Sequence, residues 1–230
     1  LNAQSFEIRI DSTDFDFASL WQDKIASNAD GGLLIAGYSN YPWLTEAVKV
    51  VKLTANGNID WAKVYGSWYE VFSFEIEPTP DSGFYLTVNQ VEDFPLYKAR
   101  FDIIRINKYG NVLGLTSSDW SNTQSSGGVR DLKYEKETAG IHFFWDQPYL
   151  DANQEVDGAY PRFCRMSSSV TNSFSTSIPL FGICSHSISN DSTISDILIG
   201  GTTIANNNSR WPALAKIDSA GTLQWQREYY

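Results

Sequence analysis

Asp30-Gly31-Gly32-Leu33-Leu34-Ile35-Ala36-Gly37-Tyr38, together with Val50-Val51-Lys52-Leu53-Thr54-Ala55-Asn56-Gly57-Asn58-Ile59-Asp60-Trp61-Ala62-Lys63-Val64-Tyr65-Gly66, is the stretch from which the fold can be read. The first part is a tight Asp/Gly turn, in which glycine supplies positive φ, followed by a short apolar run. The second part is an apolar run ending in a basic residue, then an Asn-Gly turn. After that turn, Ile59, Trp61, Lys63 and Tyr65 alternate with Asp60, Ala62 and Val64. Alternation with period two suits an outer strand with one wet face, and apolar runs suit strands covered on both faces.

Working outward, the same signals recur in the same order. The basic–aliphatic pair returns as Arg105-Ile106, Arg165-Met166 and Lys216-Ile217, at intervals of 53, 60 and 51 residues. A glycine stands five positions after the basic residue at Gly57, Gly110 and Gly221. Nine positions after it stand Trp61, Gly114, Phe174 and Trp225. The turn register returns as Asp81-Ser82-Gly83-Phe84-Tyr85-Leu86, as Thr138-Ala139-Gly140-Ile141-His142-Phe143, and more weakly as Ile194-Ser195-Asp196-Ile197-Leu198-Ile199. In the last copy Leu223, Trp225, Arg227 and Tyr229 share one face of a strand.

Two registers repeated four times, without helical periodicity, predict an all-β fold. The expected form is a β-propeller-like array of four four-stranded antiparallel blades, incomplete or open. The reading is one domain over 1–230, with repeats near 18–66, 70–117, 128–178 and 182–230 and an extra N-terminal strand at 5–10. Four complete blades plus a spare strand do not close simply. A pair of β-sandwiches is the rival, but it would not repeat one turn chemistry four times.

These motifs resemble the repeats of secreted propeller-like proteins common in Bacteroidota, which are often exported by the type IX system. The resemblance spans nearly the whole chain and is best in the first and fourth copies. It implies an extracellular or surface β-propeller, and it implies no single activity. Leu1-Asn2-Ala3-Gln4 resembles the tail of a bacterial signal peptide, so an exported protein is expected: extracellular, on the cell surface or periplasmic.

A net charge of −10 and a pI of about 4.6 argue against nucleic acid as a partner. No apolar run is long enough for a membrane-spanning helix, so no membrane insertion is expected. A protein partner leads, because an open array leaves apolar faces and a sheet edge to cover. A glycan is the second class, through aromatics near prolines in the loops between second and third strands: Tyr41, Trp43, Phe94, Tyr97, Tyr149, Tyr160 and Trp211. The same rings equally suit seals between blades.

Asp151, Asn153, Glu155 and Asp157 precede Gly158, like the front half of a calcium loop. Position twelve of that loop, counted from Asn153, is Cys164 rather than a bidentate glutamate. Calcium is therefore a candidate cofactor beside the reading of a plain acidic loop. Cys164 and Cys184 can form one disulfide in an oxidising compartment, or remain two thiols. No catalytic residue is assigned. His142 and His186 fit no metal spacing, and no Gly-x-Ser-x-Gly elbow or phosphate loop occurs. Glu75 and Glu77 share a strand face and support, as a third alternative, a polysaccharide hydrolase or lyase. Lys52, Arg105, Arg165 and Lys216 are expected at solvated or inter-blade positions, with a channel-lining cationic ring as the functional alternative.

Overall fold

The computed structural model describes residues 24–41, 44–65, 70–91, 99–118, 128–135, 139–150, 156–166, 173–177, 187–190, 197–204, 210–218 and 222–229. Among them every regular element is a strand. Blade 1 consists of β1 (Lys24–Ser27), β2 (Leu33–Tyr41), β3 (Leu44–Leu53) and β4 (Ile59–Tyr65). Blade 2 consists of β5 (Glu70–Pro78), β6 (Phe84–Val91), β7 (Ala99–Ile106) and β8 (Val112–Ser117). Blade 3 holds β9 (Val129–Glu135), β10 (Gly140–Leu150), β11 (Val156–Met166) and β12 (Ser173–Ser177). Blade 4 holds β13 (Ser187–Asn190), β14 (Ile197–Ile204), β15 (Arg210–Ile217) and β16 (Leu223–Glu228). Each blade is a separate four-stranded antiparallel sheet with its strands in chain order, and none closes into a barrel. The all-β, propeller-like array read from the repeats is the observed architecture.

The two sequence registers turn out to be cross-strand neighbours. The basic residue stands opposite the second residue of strand two in blades 1, 2 and 4 and the third in blade 3: Leu34 opposite Lys52, Tyr85 opposite Arg105, His142 opposite Arg165, and Leu198 opposite Lys216. A β-bulge follows the basic residue where strand three meets strand four, at Lys52/Leu53, Arg105/Ile106 and Lys216/Ile217. Such a bulge re-aims side chains and sharpens strand twist.

The first strands of successive blades meet in sequence: β1 touches β5, β5 touches β9, and β9 touches β13. No contact of that extent joins β13 back to β1 among the described residues. Three apolar layers fill the junctions. Leu34, Ala36, Val48 and Val50 of blade 1 pack on Phe74, Ile76, Phe84 and Leu86 of blade 2. Tyr85, Phe101 and Ile103 on the other face of blade 2 pack on Ile141, Phe143 and Met166 of blade 3. Phe144 and Phe163 then pack on Ile197, Ile199, Ala213 and Ala215 of blade 4. Each interior sheet is thus covered on both faces, which is why its strands read as unbroken apolar runs.

Two local expectations are corrected. The recurring glycine of the Asp/Gly turn is not the residue with positive φ in blade 2, where Ser82 takes φ 63°, or in blade 3, where Ala139 takes φ 54°. In blade 1 that position is Gly31, at φ 82°. The recurring Gly32 and Gly83 are required for space: a Cβ there would lie 2.0 Å from the Leu53 carbonyl oxygen and 2.4 Å from that of Ile106. Nor are Lys52 and Arg105 solvated or part of a channel ring; Lys52 takes the inter-blade position that was also expected, its Nζ reaching Lys108 O of blade 2 at 3.4 Å. Both are buried, and each turns its charged end onto the Asp of its own blade's first turn.

Candidate functional site

The arrangement with the clearest chemistry is a clasp between blades 1 and 2. The sequence Asn107-Lys108-Tyr109-Gly110-Asn111 makes a turn after β7, closed by Asn107 N–H donating to Asn111 O (2.9 Å) and Gly110 N–H donating to Asn107 O (2.9 Å). Gly110 takes φ 74°, which leaves successive carbonyls pointing outward. The front face of β4 grips them one by one. Trp61 Nε1–H donates to Lys108 O (2.9 Å), Lys63 Nζ to Tyr109 O (2.9 Å), and Tyr65 Oη–H to Gly110 O (2.9 Å). Lys63 also donates to Asn111 Oδ1 (2.8 Å), and Lys52 Nζ reaches Lys108 O at 3.4 Å. Trp61 stacks on Phe84 (6.1 Å, 19° between planes), and Tyr65 meets the same ring edge-on at 6.2 Å.

Side chains two apart on a strand share a face, so Trp61, Lys63 and Tyr65 make a row that matches the carbonyl row. The turn packs closely on this row: a Cβ on Gly110 would lie 2.8 Å from Lys63 Cδ and force that side chain to shift, and φ 74° already disfavours a side chain there. Burial raises the Tyr65 phenol above its ordinary 10, so it remains a donor at neutral pH. The row was read from the sequence only as an alternating outer strand. Its return in the fourth copy and its absence from the second and third, where Gly114 and Phe174 replace tryptophan, was the available signal.

Other junctions also use polar groups. Asn28 donates from Nδ2 to Ser82 O (3.0 Å), linking the first turns of blades 1 and 2. Asn89 donates to Val129 O (3.0 Å) and accepts from Val129 N–H (2.8 Å), imitating a strand pair between blades 2 and 3. Glu75 accepts from Lys24 (3.0 Å) across to blade 1, while Glu77 accepts from Tyr134 N–H (2.9 Å) across to blade 3. Burial raises both carboxyls above their ordinary range, with Lys24 acting against it at Glu75 and the Tyr134 amide at Glu77. The pair considered for polysaccharide chemistry therefore joins blades on either side of β5. His142 is buried, 3.4 Å from Glu135 Oε2, beside the Arg165 guanidinium that Glu135 binds at 2.6 Å. Burial lowers its pKa first, Glu135 opposes, and Arg165 lowers it further.

The other sequence-derived candidates are only partly placed. Tyr41 ends β2, Tyr149 lies in β10, Tyr160 in β11 and Trp211 in β15. Trp43, Phe94 and Tyr97 lie outside the described residues, as do Asp151, Asn153, Glu155 and Cys184. Asp157 belongs to β11, next to Gly158, which pairs with Tyr149. Cys164 is buried on β11. Among the described residues no group of three or more His, Cys, Asp or Glu is placed to hold a metal ion.

No family model and no curated protein matches the chain. Among solved structures, it is similar to the Glu150Gln mutant of the Synechocystis apocarotenoid oxygenase, at 10% identity and a TM-score of 0.48 over 90% of this chain and 49% of that one. It is similar also to the cobalt-substituted form of the Synechocystis enzyme, at 12% identity and a TM-score of 0.47 over 94% and 52%. The chain thus spans about half the length of these structures. At such scores and identities the likeness carries no activity across.

Proposed function

We propose that this chain is a non-catalytic binding and assembly module that engages another protein, as part of an exported complex at a cell surface. One observation carries this reading: the row of the blade 1 clasp recurs in blade 4 as Trp225, Arg227 and Tyr229, with Arg227 and Tyr229 exposed. An apolar and donor-rich sheet face of that kind suits a protein ligand, with aromatic anchors beside a cation. Glu75 and Glu77, the carboxylates best spaced for chemistry, are engaged in blade junctions, which favours assembly over catalysis. The likeness of the repeats to secreted propeller proteins supports export.

Radical footprinting of the protein in the cells that make it tests this, with the exposed Tyr109 as internal reference. Trp225 and Tyr229 are expected to label several-fold less than Tyr109. Labelling of Trp225 and Tyr229 as strong as that of Tyr109 would contradict the reading.

A further inference from the structure

We infer that the junction between blades 3 and 4 is an acid-operated hinge, in which uptake of a proton by His142 releases blade 4 from the front face of blade 3.

His142 stands in β10 opposite Lys133 of β9 and Arg165 of β11. Phe144 lies two positions on, so the two rings share a face of the sheet. Phe144 and Phe163 pack that face on Ile197, Ile199, Ala213, Ala215 and Ile217 of blade 4. The imidazole is 1% exposed, and its ring centre lies 5.1 Å from that of Phe163. Among the described residues neither ring nitrogen finds a hydrogen-bond partner. Nε2 lies 3.4 Å from Glu135 Oε2, but the same oxygen accepts from Arg165 Nε (2.9 Å) and Nη2 (2.6 Å). Blade 4 brings an unpartnered acceptor of its own: Gln226, opposite Ala215, buries its Oε1 without a hydrogen bond among the described residues.

A second cation is poorly accommodated here. Glu135, the carboxylate at the imidazole, is already held by Arg165. Lys133 reaches towards Glu77 of blade 2 (3.6 Å), and Asp131, opposite Phe144, accepts from Leu132 N–H (2.8 Å). Across the junction the packed residues of β14 and β15 are Ile197, Ile199, Ala213, Ala215 and Ile217, and β12 and β13 hold no ionisable side chain. Glu228, opposite Ala213 at the end of β16, is exposed. Burial and Arg165 hold the imidazole below its ordinary 6.5 in spite of Glu135.

With the junction open, water solvates the ring and restores the ordinary value. The proton therefore binds the open form more tightly, and acidification through 6.5 shifts the equilibrium towards it. At neutral pH the imidazole is uncharged in both forms and the closed junction keeps its apolar advantage. Opening uncovers Phe144 and Phe163, two rings of the kind that anchor protein contacts.

Hydrogen exchange of the full chain, read by mass spectrometry at about pH 7.5 and about pH 5 and corrected for intrinsic rates, tests this. Peptides of β13 to β16 should lose protection on acidification by up to about thirtyfold, the factor by which an imidazole of ordinary pKa favours its protonated form at about pH 5. Peptides of β5 to β8 should hold theirs within about twofold. His142→Phe should abolish the selective loss, while His186→Gln, at the chain's other histidine, should leave it intact. Should His142→Phe fold poorly by thermal melt at neutral pH, His142→Gln carries the same test. Blade 4 protection that does not respond to pH would overturn the inference, as would an equal loss in every blade. A selective loss that survives substitution of His142, or that disappears with His186→Gln, would overturn it too.

Discussion

Lys52 Nζ lies 2.6 Å from Asp30 Oδ2 and 3.4 Å from Asp60 Oδ2, so one buried ammonium ties the turn after β1 to the beginning of β4. Blade 2 repeats the relationship with Arg105 and Asp81 at 2.6 Å. Blade 3 substitutes Glu135 for the turn aspartate, and Arg165 binds it through Nε (2.9 Å) and Nη2 (2.6 Å). Lys52→Met should therefore lower stability by about 1 kcal/mol, a modest figure because Asp30 is partly exposed and screened. Combined with Asp30→Asn, it should give a non-additive double-mutant cycle in urea unfolding. Burial alone would raise the Asp30 carboxyl, but Lys52 and the Gly32 amide outweigh it and hold the pKa below 3.8. The contribution is thus complete above that pH and is lost as pH falls through the lower folded value.

Adjacent turn residues in blade 2 should respond with opposite signs. Ser82→Gly should stabilise by about 0.5 to 1 kcal/mol, since serine there pays for φ 63°. Gly83→Ala should destabilise by about 2 kcal/mol or more, because the new methyl would meet the Ile106 carbonyl oxygen. Chemical denaturation of the two variants checks both.

The buried imidazole sets a pH dependence. With its pKa held below the ordinary 6.5, His142 takes up a proton more readily in the unfolded chain. Stability should fall as pH drops below 6.5 towards the folded value, and His142→Gln should flatten that slope. Glu77 works in the opposite direction. Its raised pKa makes its contribution decline as pH rises above 4.5, and Glu77→Gln should remove that decline. Unfolding free energies measured across this range separate the two.

Blade number, strand order and the wet side of β4 were legible because strand periodicity and turn residues are local signals. The role of the basic register was not. Asp30 and Lys52 are 22 positions apart in the chain, and alternation fixes the face of a lysine stem without fixing where its ammonium goes. Turn glycine was read through φ, the property visible in a motif, whereas Gly32 and Gly83 answer to carbonyls of a strand that arrives more than twenty residues later. The clasp escaped for the same reason: the row on β4 is local, but its ligand at 107–111 belongs to the next blade.

The most direct measurement compares Tyr65→Phe with Tyr229→Phe by urea unfolding, at a concentration low enough that the midpoint no longer depends on it. Tyr65 is buried in the clasp whereas Tyr229 is 51% exposed, so Tyr65→Phe should cost about 1 to 2 kcal/mol, because the buried Gly110 carbonyl loses its donor. Tyr229→Phe should then cost close to nothing. Equal costs at the two positions, or a larger one at Tyr229, would contradict the account.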